Sequence, residues 1–177
     1  MPSIAVVYYS LTGTTRAAAE RVAEITGADL FEIRDARPRR GVLGVLRALW
    51  EVLAGRPPRI SPPPVSPELY DAVVLACPVW AARPASPLPA WIDEVGGLSR
   101  PIGLLATLSS EAADGAFARL EDALCRSVVA KAAITDKDRA QGVDDAKLEA
   151  FARAVIAATK RREAAAPMLR VAASRSA

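Results

Sequence analysis

The sequence predicts an α/β fold: a three-layer, doubly wound, five-stranded parallel sheet with helices on both of its faces. Short apolar runs alternate along the chain with longer stretches whose apolar residues recur at helical spacing. The short runs are apolar almost throughout, which is typical of parallel strands buried on both sides. The 177 residues suffice for one domain. We expect that domain to span 1–160 and a basic, flexible tail to follow over 161–177.

Five runs rich in β-branched and other apolar residues predict the strands. The first, IAVVYY, leads into a cluster of small hydroxylated residues and then directly into a helix. The third run contains Pro78, where we expect that strand to end, because proline has no N–H for the sheet ladder. The five runs lie at 4–9, 30–33, 70–80, 101–110 and 127–135.

Five amphipathic stretches predict the helices between and after these strands. In the first, Ala18, Val22 and Ile25 share one side, and Gly27 follows as the C-cap. The third stops at the paired glycines after Val95, and the proline-rich segment over 56–67 is an extended connector. The helical stretches lie at 14–27, 41–55, 88–95, 115–126 and 144–159.

Composition limits the chemistry available to the protein. Hydrophobic residues make up 51% of the chain and charged residues 24%, as in ordinary globular proteins. No apolar run is long enough to cross a bilayer and no secretory signal is visible, so we expect a cytoplasmic protein. The absence of histidine excludes Ser-His-Asp and Cys-His catalysis and most zinc sites. If the protein is an enzyme, a bound cofactor supplies the difficult chemistry.

The chain has a net charge of +3, and its excess of positive charge is concentrated in two segments, 34–59 and 160–177, while the rest is net acidic. Nucleic-acid binding would require aromatics interleaved with the basic residues, and only Trp50 lies in the first segment, so we do not expect it. The predicted helix over 41–55 is expected to pack its stripe on the sheet. Contact of this basic helix with a membrane surface, or a homodimer contact through Leu43 and Trp50, stays open as an alternative.

The turn SLTGTT at 10–15 joins the first predicted strand to the first helix. Free backbone N–H groups at a helix N-terminus, together with hydroxyl donors, suit a phosphate group. The lysine of a P-loop and the G-x-G-x-x-G fingerprint are both absent, which favours a single phosphate held by neutral donors. The alternative is that Thr14 or Thr15 only caps the helix.

A second candidate loop, CPVWAARPASP at 77–87, follows the third predicted strand. In a sheet of order 2-1-3-4-5 the first and third strands flank the switch point, where ligands bind. Trp80 is able to stack on a flat ring, or alternatively to cover the helix that contains Trp91. Cys77 is expected to be a buried small hydrophobe without a redox role, and Cys125 to lie near the core face of its helix.

At these two loops the chain resembles the flavodoxin-like family, with an element order that fits from Ile4 to about Thr159. SLTGTT matches the phosphate loop of that family, and CPVWAARPASP resembles its second flavin loop. The resemblance implies the strand order 2-1-3-4-5 and FMN bound without a metal. The residues implied to bind FMN are Ser10, Thr12, Gly13, Thr14 and Thr15 at the phosphate, Pro78, Val79, Trp80, Ala81, Ala82 and Arg83 along the ring, and Thr107, Leu108 and Ser109 at its other edge.

The chain also departs from the family pattern. Ala81 and Ala82 follow Trp80 where many relatives have a second aromatic and a glycine, and TLSSEAADG at 107–115 contains no aromatic to cover the second flavin face. The open face favours an NAD(P)H- or quinone-linked oxidoreductase over an electron carrier, with Arg83 as a candidate to offset negative charge. The alternative is an interaction module of the same fold that has lost FMN.

Overall fold

The computed structural model describes residues 2–36, 58–109 and 113–173. The helix expected over 41–55, with Leu43 and Trp50, lies outside these residues, as do positions 110–112 of the third loop. Within the described ranges, no helix combines the length and apolar character needed to cross a membrane.

Five parallel strands form the central sheet: β1 (Ile4–Tyr8), β2 (Asp29–Glu32), β5 (Ala72–Trp80), β7 (Ile102–Leu108) and β8 (Ala130–Thr135). Their order across the sheet is β2-β1-β5-β7-β8, so the predicted order 2-1-3-4-5 is confirmed. Val7 pairs with Leu75, and Leu75 pairs in turn with Leu104. Every residue of β1 and β7 is buried, because helices cover both faces.

Four of the described helices pack on the two faces of the sheet, and a fifth, of one turn, follows the last strand. They are α1 (Thr14–Thr26), α2 (Pro87–Val95), α3 (Asp114–Leu124), the one-turn α4 (Asp136–Ala140) and α5 (Asp144–Ala173). One apolar cluster joins the sheet to α1 and α5 through residues such as Val22 and Phe151. The other joins it to α2 and α3 through residues such as Trp91 and Phe117. The sheet is therefore the middle of three layers, as the sequence predicts.

Several boundaries differ from the sequence prediction. The strand containing Pro78 does not end there: β5 continues to Trp80 and turns into a hairpin with β6 (Arg83–Pro84). The carbonyl of Pro78 accepts a hydrogen bond from Ala85 N, so the missing proline N–H does not prevent pairing. The sequence analysis also did not predict a short antiparallel ribbon of two strands, β3 (Arg34–Asp35) and β4 (Ile60–Ser61).

The ends of two helices differ as well. The last helix continues to Ala173 rather than ending at 159, although this extension contains Pro167, which lacks the N–H of a helical hydrogen bond. Cys125 is exposed and not near the core, because α3 ends at Leu124 and Cys125 takes a left-handed conformation (φ 51°). Gly27 and Gly96 are the left-handed C-caps of α1 and α2, in agreement with prediction.

Gly103 on β7 allows α5 to lie directly against the sheet. A Cβ atom at this position would lie 2.8 Å from both Phe151 Cζ and Val155 Cγ2. Phe151 and Val155 are buried members of the apolar cluster on this face. The side chains of α5 therefore occupy the volume that any other residue would need.

We predict that Gly103→Ala lowers the free energy of unfolding by about 1 to 3 kcal/mol, because the added methyl group overpacks this contact. Chemical denaturation of Gly103→Ala, Val155→Ala and the double variant measures the effect. The double variant should lose less stability than the sum of the single losses, since shortening Val155 removes one clash. Strictly additive losses would contradict the packing described here.

Candidate functional site

A cavity of about 300 Å³ opens at the carboxyl ends of the parallel strands. It lies at the switch point, where the chain leaves β1 toward one face of the sheet and β5 toward the other. Its lining comes from four places along the chain: the turn after β1, the end of β5, the end of β7, and α4. The lining residues are Leu11, Thr12, Thr14, Thr15, Pro78, Val79, Trp80, Thr107, Leu108, Ser109, Asp136 and Arg139.

The turn after β1 is braced by Ser10. Its Oγ accepts hydrogen bonds from Gly13 N at 3.1 Å and from Arg16 N at 3.2 Å. The N-cap is Gly13, in a left-handed conformation (φ 95°), and it makes no side-chain capping bond. The alternative that Thr14 or Thr15 caps α1 is therefore wrong. Their backbone N–H groups lie in the first helical turn, where no carbonyl of the helix can accept from them.

The threonines of this turn point toward the cavity. Thr12 Oγ1 and Thr14 Oγ1 are 3.4 Å apart and exposed. Thr15 Oγ1 and Thr107 Oγ1 are 2.7 Å apart and buried, which joins the start of α1 to the end of β7. A hydroxyl pair uses one of its two protons internally, so the other stays available to a ligand. The first turn of α1 contains no acidic residue to oppose an anion.

The end of β5 forms the apolar wall of the cavity. Trp80 is half-buried, packs against the apolar cluster that includes Trp91 and also lines the cavity. Ala81 and Ala82 form the hairpin turn, both at positive φ (49° and 57°), which is the backbone of a two-residue hairpin loop. A Cβ on Gly115 would lie 3.3 Å from the Ala82 carbonyl oxygen, so α3 begins directly against this turn.

The fourth wall was not predicted from the sequence. Asp136 and Arg139, on α4, form an ion pair and both line the cavity. Thr135 and Asp138 fix this helix by a capping box in which each residue bonds the backbone N–H of the other. The spacing Thr-x-x-Asp after an apolar run was the available sequence signal.

The positive charge of Arg16, near the cavity, is paired with a carboxylate of β2. The hydrogen bond to Glu32 raises the pKa of Arg16 above its ordinary value and holds this side chain at β2, and Arg16 is not among the lining residues.

Burial raises the pKa of the Cys77 thiol to about 12. Cys77 is thus a buried, neutral side chain of β5, as the sequence predicts.

Nine of the fourteen residues predicted from sequence line the cavity. The other five do not: Ser10 and Gly13 shape the turn, Ala81 and Ala82 form the hairpin loop, and Arg83 pairs with Trp80 across that hairpin. Leu11, Asp136 and Arg139 line it without having been predicted. The structure thus brings together the turn, the second loop and the end of β7 at one site.

Comparisons with known proteins bear on this fold and site. A family model described as Flavodoxin matches residues 3–42, which include β1, the following turn, α1 and β2. No curated protein matches the chain.

Solved structures resemble the chain over most of its length. A flavoprotein from Lactobacillus acidophilus NCFM, solved in complex with FMN, has a TM-score of 0.66 at 19% identity, covering 80% of this chain and 98% of that one. A WrbA-like flavodoxin from Agrobacterium tumefaciens gives 0.56 at 16% identity, covering 89% and 99%. The apo form of an NADH:FMN oxidoreductase gives 0.58 at 20% identity, covering 91% and 90%.

The fold is flavodoxin-like. The family model supports the predicted resemblance at the first of the two loops, and these structures confirm the fold that the resemblance implies. In this flavodoxin-like chain, the part that the family model matches supplies one wall of the cavity, and the other three walls lie beyond residue 42.

The capping box of α4 generates a prediction about acid stability. Hydrogen bonds from Lys147, 2.6 Å away, and from Thr135 lower the pKa of Asp138 from 3.8 to about 2. A lowered folded-state pKa stabilises the fold above the unfolded-state value, and this stabilisation is lost as the pH falls toward the folded-state value. We expect Asp138→Asn to lower the melting temperature near neutral pH.

The difference between Asp138→Asn and the unchanged protein should narrow as the pH falls from about 4 to about 2, in the window set by the two pKa values. Thermal melts across this range, followed by circular dichroism, measure it. A difference that stays constant with pH would show that the charge of Asp138 does not hold this helix.

Proposed function

We propose that this protein binds FMN in the cavity at the carboxyl edge of the sheet and transfers electrons through it. One observation carries the proposal. The amide- and hydroxyl-rich turn at the start of α1 and the aromatic wall at Trp80 line the same cavity. Each feature alone has a structural explanation, but a shared cavity of this kind suits a ligand with an anionic end and a flat apolar end.

The donor set of the turn fits a phosphate monoester. The hydroxyls of Thr12 and Thr14 are exposed at the cavity, and the amides of Thr14 and Thr15 lie at the positive end of α1. Gly13 carries no side chain that would obstruct an anion, and among the described residues, its chain neighbours aside, none lies within 4 Å of the position its Cβ would take. The Ser10 brace holds these donors in place without a ligand.

The remaining lining fits a planar ring. Trp80 and Val79 on β5 and Leu108 on β7 supply apolar surface, and Pro78 lies beside them. Bound FMN would supply one- and two-electron redox chemistry. The task of these side chains is to orient the ring and to exclude water from one of its faces, while Thr107 and Ser109 offer hydroxyls at its edge. Arg83, paired with Trp80 across the hairpin, is a candidate to offset negative charge beside the ring.

Among redox proteins, an NAD(P)H- or quinone-linked oxidoreductase is the role we favour. The third-loop sequence 107–115 contains no aromatic, so this loop has no aromatic side chain to cover the second face of the ring, which favours access of a hydride donor or acceptor to that face. An NADH:FMN oxidoreductase and a WrbA-like flavodoxin are among the proteins with this fold, which adds support.

FMN binding is tested by an absorbance spectrum of the purified protein, taken before and after titration with FMN. We expect flavin bands in the visible range, or a spectral shift on titration. A spectrum without flavin bands that FMN does not change would contradict the proposal. It would favour the alternative, an interaction module that has lost its cofactor.

The phosphate turn is tested by the double variant Thr12→Ala/Thr14→Ala. We expect it to weaken FMN binding by about tenfold, the effect of losing two exposed hydrogen bonds, with little change in melting temperature. Ser10→Ala is the comparison variant. It removes the acceptor of two backbone N–H groups and should lower both the melting temperature and the FMN affinity. If the double variant lowers the melting temperature as much as Ser10→Ala does, the threonines serve the fold rather than a ligand.

The narrower role is tested by steady-state oxidation of NADH and NADPH with a quinone acceptor. We expect turnover above that of an equal concentration of free FMN, because the protein orients the ring and leaves one face accessible. Turnover no faster than free FMN, in a protein that binds FMN, would leave electron carriage as its role.

A further inference from the structure

We propose that Arg139 selects for the phosphate of the bound cofactor, adding a cation to a site whose other phosphate donors are neutral. This inference rests on the function proposed above and goes beyond it, because the residue lies outside all three segments predicted to bind FMN. Arg139 lines the cavity together with Thr12, Thr14 and Thr15. Among the described lining residues, the only other charged one is its ion-pair partner Asp136.

The backbone of Arg139 is held in place by hydrogen bonds between neighbouring residues. The capping box between Thr135 and Asp138 closes α4, and Lys147 Nζ bonds Asp138 Oδ1 at 2.6 Å, which ties α4 to α5. The Val143 N–H donates to the Asp138 carbonyl at 3.0 Å. Arg139 is therefore presented from a braced turn, and the Asp136 carboxylate orients its guanidinium before a ligand arrives.

The pairing of the strands brings this turn close to the phosphate turn. Thr15 bonds Thr107 on β7, and Thr107 pairs with Ile134 on β8, one residue before the capping box of α4 begins. Adjacent strands lie about 4.8 Å apart, so the start of α1 and the start of α4 are near neighbours along the sheet edge. The Trp80 wall lies on β5, on the other side of β7 from β8.

The charge of a phosphate gives a strong donor such as Arg139 a role there, beside the Asp136 carboxylate that already pairs with it in the same cavity. A phosphate monoester carries a charge of about −1.5 to −2 near neutral pH, and a helix N-terminus offers the equivalent of only about +0.5. Arg16, although on α1, is held by Glu32 and does not line the cavity. The guanidinium of Arg139 has five N–H donors, enough to keep its bond to Asp136 and to donate to a phosphate oxygen as well.

The test compares the affinities of FMN and riboflavin, which differ only by the phosphate, for four forms of the protein. We expect Arg139→Gln to weaken FMN binding by about tenfold, as for the loss of one charge-assisted bond at a half-exposed position, and to leave riboflavin binding unchanged. Arg139→Lys should recover part of the FMN affinity, since it restores the charge but not the planar fork. Arg153→Gln is the matched control: Arg153 is an exposed arginine of α5, paired with Glu149 and absent from the cavity lining, and its loss should change neither affinity.

An equal loss of FMN and riboflavin affinity in Arg139→Gln, or no loss of either, would overturn the inference while the proposed function stands. If the unchanged protein binds neither flavin, the proposed function fails, and melting temperatures in inorganic phosphate decide about Arg139. Stabilisation by phosphate that Arg139→Gln removes would support an anion site at this residue. Absence of stabilisation in the unchanged protein, or its persistence in the variant, would overturn it.

Discussion

Parallel pairing of the strands is the constraint on which the site depends. Because all five strands of the β2-β1-β5-β7-β8 sheet run the same way, the segments that follow them emerge at one edge. At this edge the buried hydroxyl pair of Thr15 and Thr107 joins α1 to β7 at 2.7 Å. Residues that lie 92 positions apart in sequence thereby form one continuous surface, and the cavity is the space between the chain segments that this edge brings together.

Three of the four walls of the cavity are held by hydrogen bonds of their own. Ser10 closes the turn before α1, the Pro78 carbonyl closes the hairpin through Ala85 N, and Thr135 closes α4 with Asp138. Side chains presented from such closed turns lose little further freedom when a ligand binds, which lowers the entropic cost of association. The polar donors and the aromatic wall are thus arranged by the fold itself, before any cofactor contributes contacts.

The buried strands were predictable from sequence, because a wholly apolar run such as β1 is stable only when both of its sides are covered. The order of the strands came from the family resemblance of two loops, since the pattern of apolar residues does not specify which strands lie side by side in the sheet. Arg139 was missed because its helix, α4, is a single turn without an apolar stripe. The spacing of Thr135 and Asp138, typical of a capping box, was the available signal for this helix. The hairpin beyond Pro78 was missed because proline lacks an N–H, whereas its carbonyl still pairs.

The two cysteines of the chain differ in a way that makes the protein easy to label. Cys77 is enclosed in β5 with a thiol pKa of about 12, whereas Cys125 is exposed at the far end of α3 from the hairpin turn. Thiol-specific reagents attack the thiolate and need access to it, so a maleimide dye should modify Cys125 alone. Because α3 begins beside Ala82 and runs away from the cavity, a dye at Cys125 would leave the cavity accessible. The natural sequence thus provides a single attachment point for fluorescence or surface immobilisation.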